Sequence, residues 1–253
     1  MIAVKNVHMK YGPTVVVNDV SLAIPKGKVT SLIGSNGAGK STLLGVIARL
    51  IDPESGAIIL NEKNIKEYKN TVLAKQLAIL KQANHINLKL TVEELVSFGR
   101  FPYSQGRLTP NDRQIVDEAI HFLELDDIKH KYIDELSGGQ QQRAYLAMVV
   151  AQDTDYILLD EPLNNLDMKH AVQIMKTLKR LSVEKGKTVV MVIHDINFAA
   201  QYSDYIAALK QGKLVYFDTT DNIIEPTILK NVFDINFEII KNNNNLICNY
   251  FNQ

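Results

Sequence analysis

Two glycine-rich segments carry the residue types best suited to phosphate chemistry. The first, GSNGAGKS, runs from Gly34 to Ser41 and fits the pattern G-x-x-x-x-G-K-[ST]. In such a loop the backbone N–H groups point into a concavity, and the helix that follows adds partial positive charge at its start. Lys40 would neutralise the β- and γ-phosphates of a nucleotide, and the Ser41 hydroxyl would bind Mg²⁺. The alternative is a glycine turn that only packs a helix onto a sheet.

The second segment, LSGGQQQRA from Leu136 to Ala144, is a glycine pair followed by a polar, helix-forming sequence. One glycine loop at a helix start is sufficient to hold one phosphate chain. The second segment therefore either serves another phosphate group or is a simple turn from a loop into a helix.

Two adjacent carboxylates follow an apolar strand in the sequence YILLDEP. Asp160 would hold Mg²⁺ through water, because this ion gives up its hydration shell reluctantly. Glu161 would polarise the water that attacks the γ-phosphate. The alternative is a solvated strand end before a proline turn, and the phosphate loop elsewhere in the chain weakens that alternative.

Three further side chains are candidates for the same chemistry. His194 ends TVVMVIH and can donate to a γ-phosphate oxygen, although an isolated histidine is more often structural. Gln82 follows the apolar sequence LAILK and could contact Mg²⁺ or water, but most glutamines are surface polar residues. Tyr11 could stack on adenine, which by itself is weak support for a nucleotide site.

An α/β fold is predicted from the elements around these residues. The short strand VTSLI, the glycine turn and an amphipathic helix follow one another, with apolar residues at helical spacing at Leu43, Leu44, Ile47, Leu50 and Ile51. YILLD and TVVMVIHD are continuous apolar sequences, as expected for parallel strands buried on both faces. A helix from about Met168 to Glu184 lies between them.

The remaining patterns predict a helical insertion and antiparallel strands. Strand signals are absent from Thr91 to Leu136, where Thr91 forms a capping box with Glu94, and Thr109 precedes a proline at the first helical position. VSLAI alternates like a half-solvated strand. Hairpins are predicted at Gln211 and Gly212 and around the run of asparagines near the end.

Composition restricts the class of protein. The chain has 253 residues, 46% of them apolar, with 28 Lys and Arg against 28 Asp and Glu, so no net charge favours nucleic acid or an anionic membrane. The single cysteine, Cys248, excludes an internal disulfide and a cysteine-rich metal site. No apolar run approaches the roughly 20 residues that span a bilayer, and no secretory signal is evident.

The motifs GSNGAGKST, Gln82, LSGGQ, YILLDEP, LNNLD and His194, in this order, resemble those of the ATP-binding subunit of an ABC transporter. The resemblance covers essentially the whole chain. It implies a P-loop NTPase (RecA-like) α/β core with an antiparallel β subdomain and an inserted α-helical subdomain. Residues 1–253 would form a single ATP-binding domain, with 1–90 and 151–253 as the core and about 91–150 as the helical subdomain that carries LSGGQ.

The resemblance also implies a role for the second glycine segment. In this family two cassettes pair head to tail, and the LSGGQ segment of one covers the ATP held by the first loop of the other. It implies nucleotide contacts at Tyr11, Gly34, Ser35, Asn36, Gly37, Ala38, Gly39, Lys40, Ser41, Thr42, Gln82, Ser137, Gly138, Gly139, Gln140 and Asp167. It implies Mg²⁺ contacts at Ser41, Gln82 and Asp160, and catalytic roles for Glu161, His194 and Lys40. Asn164 to Asp167 would cross the interface, although many relatives have TSALD where this chain has LNNLD.

The sequences AQDTDYILLDEPLNNLDMKH and HDINFAAQYSDYIAALKQGKLV most resemble those of ATPases of iron–siderophore importers, with haem or cobalamin import as alternatives. The implied cofactors are ATP and Mg²⁺, and the implied partners are a second copy, a transmembrane permease dimer and, indirectly, an extracytoplasmic substrate-binding protein. The implied location is the cytoplasmic side of the cell membrane, as a peripheral subunit. A soluble ABC-type ATPase acting on DNA or ribosomes is less consistent with the neutral charge, and no nucleic-acid partner is expected. An interaction module without turnover is less consistent with the presence of Glu161 and His194.

Overall fold

Strands dominate the two ends of the chain and helices dominate its middle. The computed structural model describes residues 1–81, 89–164, 166–242 and 245–251. The strands are β1 Ile2–Tyr11, β2 Thr14–Ile24, β3 Val29–Ile33, β4 Ser55–Leu60, β5 Lys63–Asn64, β6 Leu77–Leu80, β7 Tyr156–Asp160, β8 Thr188–Val192, β9 Tyr205–Lys210, β10 Lys213–Thr219, β11 Glu238–Asn242 and β12 Asn245–Asn249.

The α-helices lie between and after these strands. They are α1 Lys40–Ile47, α2 Asn70–Leu73, α3 Val92–Ser97, α4 Phe101–Ser104, α5 Pro110–Phe122, α6 Gly138–Ala151, α7 Met168–Lys185, α8 Ile196–Tyr202, α9 Thr220–Ile223 and α10 Pro226–Phe233. Short 3-10 helices cover Ile65–Glu67, Phe98–Arg100, Asp126–Ile128 and Ile133–Glu135. Within the described ranges, no helix is both long and apolar enough to cross a membrane.

The chain forms two compact units, Met1–Tyr68 with Leu178–Gln253, and Lys69–Thr177. In the first unit, β2, β1, β4 and β5 form an antiparallel sheet in that order. From Val20 to Ile24 buried and exposed residues alternate, which confirms the predicted half-solvated strand. In the same unit β3 lies between β8 and β9 and is parallel to both. Every residue of β3 and β8 is buried, which the continuous apolar sequence of β8 predicts, while β3 also buries the polar residues Thr30 and Ser31.

Both predicted hairpins are present in the first unit. β9 and β10 are antiparallel, and their turn places Gln211 and Gly212 at positive φ, 49° and 78°. β11 and β12 are also antiparallel, and the connection between them falls on two asparagines outside the described residues. The Asn197 side chain accepts from the Cys248 backbone N–H at 2.7 Å and donates to its carbonyl at 3.3 Å, so α8 holds β12. Burial raises the pKa of the Cys248 thiol to about 11, which keeps it protonated.

The helix after the first glycine loop is shorter than predicted. α1 ends at Ile47, and Leu50 and Ile51 lie beyond it, where their N–H groups both donate to the Gly45 carbonyl. Arg49 has a φ of 56°, and its guanidinium donates to two carbonyls of the segment that follows β5. This left-handed turn ends the helix and leaves Leu50 half exposed, so the prediction that it continues the apolar helix face was wrong.

The second unit contains the helices that the sequence predicts. β6 and β7 are parallel, and α3, α5 and α6 pack together. The capping box of Thr91 and Glu94 is confirmed, and Thr109 forms an additional box with Asp112. The unit extends on both sides of the predicted helical subdomain at about 91–150. The boundaries given for that subdomain stay a prediction.

Candidate functional site

The first glycine loop requires glycine at two positions where other backbone approaches it. Gly34 has a φ of 140°, and a Cβ there would overlap the Leu209 carbonyl oxygen. Gly39 has a φ of 95°, and a Cβ there would overlap the Val16 carbonyl oxygen. Both glycines thus satisfy the loop conformation and its close packing at once. Between Gly34 and Lys40, the exposed part of the loop consists of Ser35, Asn36 and Gly37.

Lys40 closes this loop from the first turn of α1. Its side chain is buried, and Nζ donates to the Gly34 carbonyl at 2.8 Å and to the Ser35 carbonyl at 2.9 Å. The ammonium charge is therefore held at the base of the exposed part of the loop. Ser41 is exposed and Thr42 is half-buried, beside the positive end of the helix. A phosphate chain at this place would meet backbone N–H groups and one fixed positive charge.

The β9–β10 turn, which is distant in sequence, is hydrogen-bonded to the glycine loop. The sequence did not predict this contact. The Gly212 N–H donates to the Ala38 carbonyl at 3.2 Å, and the Asn18 N–H donates to the Gly212 carbonyl at 2.8 Å. A Cβ on Gly212 would lie 2.8 Å from the Val16 carbonyl oxygen. The β9–β10 turn, the glycine loop and β2 therefore fit together only with glycine at position 212.

His194 lies at the same sheet edge as the loop. β3 and β8 are neighbouring parallel strands, and the Ile193 N–H donates to the Leu32 carbonyl at 3.2 Å. Because Gly34 follows β3 and His194 follows β8, both come from the carboxyl ends of adjacent strands, where open α/β sheets bind ligands. His194 is exposed, and the next residue, Asp195, caps α8 by accepting from the Asn197 N–H at 2.8 Å.

Tyr11 and Gln82 are two further residues predicted to contact the nucleotide or Mg²⁺. Tyr11 is the last residue of β1 and is 51% exposed, so its ring is accessible for stacking on a base. Gln82 lies outside the described residues. The roles predicted for both residues stay predictions.

In the second unit, Asp160 ends β7 and Glu161 follows it directly, as predicted. The strand is buried through Leu159, and both carboxylates are half-buried. Glu161 has a φ of 53°, an uncommon backbone conformation for a glutamate that redirects the chain after the strand. The Asn164 side-chain amide donates to Glu161 Oε2, and its N–H donates to the Glu161 carbonyl at 3.2 Å. This partner of Glu161 was missed, although a short polar residue three positions after a strand end is a typical turn signal.

The second glycine segment forms the capped start of α6. Ser137 Oγ accepts from the Gln140 N–H at 3.4 Å, and Gln140 Oε1 accepts from the Ser137 N–H at 3.0 Å. Ser137 and Gly138 are exposed, whereas Gly139 is buried. The segment therefore presents a helix start to solvent, and the side chains of Ser137 and Gln140 hold it in shape.

Asp167 immediately precedes α7, and its carboxylate binds to that helix. Oδ1 accepts from the His170 N–H at 2.9 Å and lies 2.7 Å from His170 Nδ1. The backbone hydrogen bond from His170 is the main cause that lowers the pKa of Asp167. Asp167 thus stays ionised at neutral pH. His170 was not singled out from the sequence.

The side chains predicted to bind Mg²⁺ have suitable chemistry. Ser41 offers a hydroxyl in the first unit and Asp160 a carboxylate in the second, and Mg²⁺ prefers such hard oxygen ligands together with phosphate oxygens and water. Ser41 and Asp160 therefore carry the kinds of oxygen atom that Mg²⁺ prefers as ligands.

Comparison with known proteins decides the family. Residues 17–164 match the family model for the ABC transporter. The chain belongs to the ABC transporter family. This ABC protein is 55% identical over 99% of its length to the petrobactin import ATP-binding protein YclP of Bacillus subtilis, covering 100% of that protein. It is 45% identical to the iron(3+)-hydroxamate import ATP-binding protein FhuC of the same species, over 91% of this chain and 86% of that protein.

Solved structures agree with this assignment. The dimeric structure of MJ0796, a bacterial ABC transporter cassette, is 33% identical to this ABC protein and superposes with a TM-score of 0.77, covering 87% of this chain and 99% of that chain. The family and the α/β fold class that the motifs predicted are therefore confirmed.

Proposed function

We propose that this chain is the ATP-hydrolysing subunit of an importer that drives uptake of an iron–siderophore complex through a membrane permease. The observation that carries the ATPase part is the loop of Gly34–Ser41 with the buried Lys40 ammonium at its base. The siderophore part is supported by the names of relatives that are 55% and 45% identical, for petrobactin and iron(3+)-hydroxamate import.

The residues of this chain divide the hydrolytic work. Lys40 and the loop N–H groups hold the phosphates, while His194 donates to a γ-phosphate oxygen. Glu161 accepts the proton of the attacking water, and the Asn164 amide keeps that carboxylate oriented until the water is in place. Mg²⁺, when bound by Ser41 and Asp160, would neutralise the developing charge on the phosphate oxygens.

The second glycine segment acts on the nucleotide of another copy. Ser137 and Gly138 are exposed at the start of α6, so the Ser137 hydroxyl and the Gly138 N–H can approach a γ-phosphate from outside. With the first loop on the opposite side, the phosphate would join two copies. Hydrolysis removes the charge that both loops hold and thereby loosens the pair, which can drive a two-state permease.

A cavity in the second unit is the surface that we assign to the permease. It has a volume of about 680 Å³ and is lined by residues of α3, of the 3-10 helix Phe98–Arg100, of α4 and of α5, among them Phe98 and Phe101. These phenylalanines are 48% and 58% exposed and line the same cavity, so they form a local apolar patch that a partner could cover. Charged residues on the cavity wall include Glu93, Arg113 and Lys129. Aromatic anchors with a charged rim suit an amphipathic helix of a partner.

The permease assignment is tested with Phe98→Ala and Phe101→Ala. Each variant should lose co-purification with the permease and permease-stimulated ATPase activity, while ATPase activity of the chain alone is kept. Phe251→Ala is the control, because Phe251 is 81% exposed and lies outside the cavity. Retained co-purification in both cavity variants would contradict the assignment.

The ATPase and transport roles are tested with Glu161→Gln. Loss of a general base should lower kcat by about 100-fold or more, and iron–siderophore uptake by vesicles containing the reconstituted permease complex should fall with it. Glu184→Gln is the control, since Glu184 is exposed and pairs with Arg180 on α7. Normal turnover in Glu161→Gln removes this residue from the base role. Uptake of haem or cobalamin in place of the iron chelate would redirect the substrate assignment.

A further inference from the structure

His170 contacts two of the segments predicted to meet a second copy. Its Nδ1 lies 2.7 Å from Asp167 Oδ1, and its backbone N–H donates to the same oxygen at 2.9 Å. Its ring also lies against Gly139 of the second glycine segment. A Cβ built on Gly139 would lie 2.6 Å from the imidazole Cγ and 2.7 Å from Cδ2. The imidazole therefore separates the start of α6 from Asp167.

Contact with the His170 ring requires glycine at position 139. Gly139 is buried in the first turn of α6, where any side chain would force the imidazole to move. The ring is flat, rigid and only 25% exposed, so it cannot move without losing its bond to Asp167. Because an ionised carboxylate only accepts hydrogen bonds, Nδ1 must carry the hydrogen, and this fixes the tautomer.

The packing of the ring matters more than its charge. The Asp167 side chain is 64% exposed, so an ion pair with a protonated His170 would be screened by solvent and contribute little. The steric contact with Gly139 is independent of protonation. The ring thus acts as a spacer that sets the distance between the two segments.

We propose that His170 is a positioning residue that holds Gly139 and Asp167 in one fixed arrangement, so that the start of α6 and the Asp167 carboxylate meet a second copy of the chain together. The effect that we expect of His170 on turnover rests on the proposed function. The intramolecular contact does not, because all three residues lie in one compact unit of a single chain.

The contact is tested first without nucleotide, by thermal unfolding of the isolated chain. Gly139→Ala should lower the midpoint, and the double variant Gly139→Ala/His170→Ala should lower it by less than the sum of the two single variants. His121→Ala is the matched control, because His121 also pairs with an aspartate, Asp126 at 3.1 Å, but is 82% exposed. It should be additive with Gly139→Ala. If the changes in midpoint caused by Gly139→Ala and His170→Ala were additive in the double variant, the contact would be overturned.

The positioning role is tested by steady-state kinetics. His170→Ala should lower kcat about tenfold while KM for ATP stays within about twofold, because Lys40 and its loop are unchanged. His170→Asn can still donate to Asp167 and should recover part of the loss. A kcat equal to that of the unchanged chain, or a higher KM with an unchanged kcat, would overturn the role.

These measurements distinguish failure of this proposal from failure of the proposed function. If the chain with its natural residues hydrolyses no ATP, the proposed function fails, and the unfolding cycle still decides the contact. If His170→Ala does not fold, the same kinetic comparison is made with His170→Asn, and equality with the unchanged chain then overturns the positioning role.

Discussion

At the scale of single residues, Lys40 shows how a buried charge is prepared for an anion. Its ammonium is 5% exposed and donates to the carbonyls of Gly34 and Ser35. Carbonyl oxygens carry only partial negative charge, so a phosphate oxygen with a full charge is a stronger partner. The same bonds hold the loop in shape, and we propose that Lys40 also contributes to the affinity of the loop for phosphate.

Lys40→Ala should weaken ATP binding by about tenfold or more, since loss of one charge-assisted contact costs at least about 1.4 kcal/mol. The measurement is titration calorimetry with ATP and Mg²⁺. Lys28→Ala is the matched control, because Lys28 is an exposed lysine immediately before the other end of β3. Unchanged affinity in Lys40→Ala would remove the loop from the phosphate-binding role.

At the scale of elements, a buried ion pair organises the helices of the second unit. Arg100 Nε donates to Asp112 Oδ1 at 2.9 Å, Arg100 Nη1 donates to the Ala151 carbonyl at 2.9 Å, and both side chains are almost fully buried. These bonds connect the segment after α3 to the start of α5 and the end of α6. They fix the helices that form the cavity assigned to the permease.

Asp112→Asn should lower the free energy of unfolding by about 3 kcal/mol, because the variant leaves the Arg100 charge buried without its carboxylate. Denaturant unfolding at neutral pH measures the loss. Asp117→Asn on the same helix is the control, since the Asp117 side chain is 60% exposed. A loss below about 1 kcal/mol would contradict the importance of the pair.

The loss in Asp112→Asn should also depend on pH. Hydrogen bonds from Thr109, and then the Arg100 contact, lower the pKa of Asp112 below its ordinary value of 3.8. A carboxyl whose pKa is lower in the folded state stabilises the fold above its unfolded pKa, and this contribution disappears as pH falls through the folded pKa. The difference from the unchanged chain should therefore be constant near neutral pH and shrink below 3.8.

At the scale of the whole molecule, association is expected to depend on nucleotide. The chain has equal numbers of basic and acidic residues, so overall charge neither drives nor prevents the pairing of two copies. A nucleotide held between the first loop of one copy and the second glycine segment of the other would stabilise the pair by mass action.

Glu161→Gln with ATP and Mg²⁺ should elute from gel filtration as a dimer, because the γ-phosphate persists when hydrolysis is slow. The dimer fraction should rise with ATP concentration and vanish with ADP. In Glu161→Gln/Lys40→Ala the dimer should require much more ATP. An elution position that does not respond to ATP would contradict the shared-nucleotide arrangement.

Local sequence patterns determined most elements and motifs. Alternation predicted the half-solvated part of β2, continuous apolar residues predicted β7 and β8, and Gln211 with Gly212 predicted the β9–β10 turn. These features depend on neighbours along the chain, and therefore propensity and periodicity reveal them. The order of the motifs also identified the family.

Contacts between distant residues were decided only by the tertiary structure. The hydrogen bond from Gly212 to Ala38 and the contact of the His170 ring with Gly139 join residues far apart in the chain. The left-handed turn at Arg49 likewise depends on carbonyls that follow β5, and it ended α1 where the apolar pattern continued. Local patterns do not encode such contacts, because each requires two segments to be packed together before either residue has its partner.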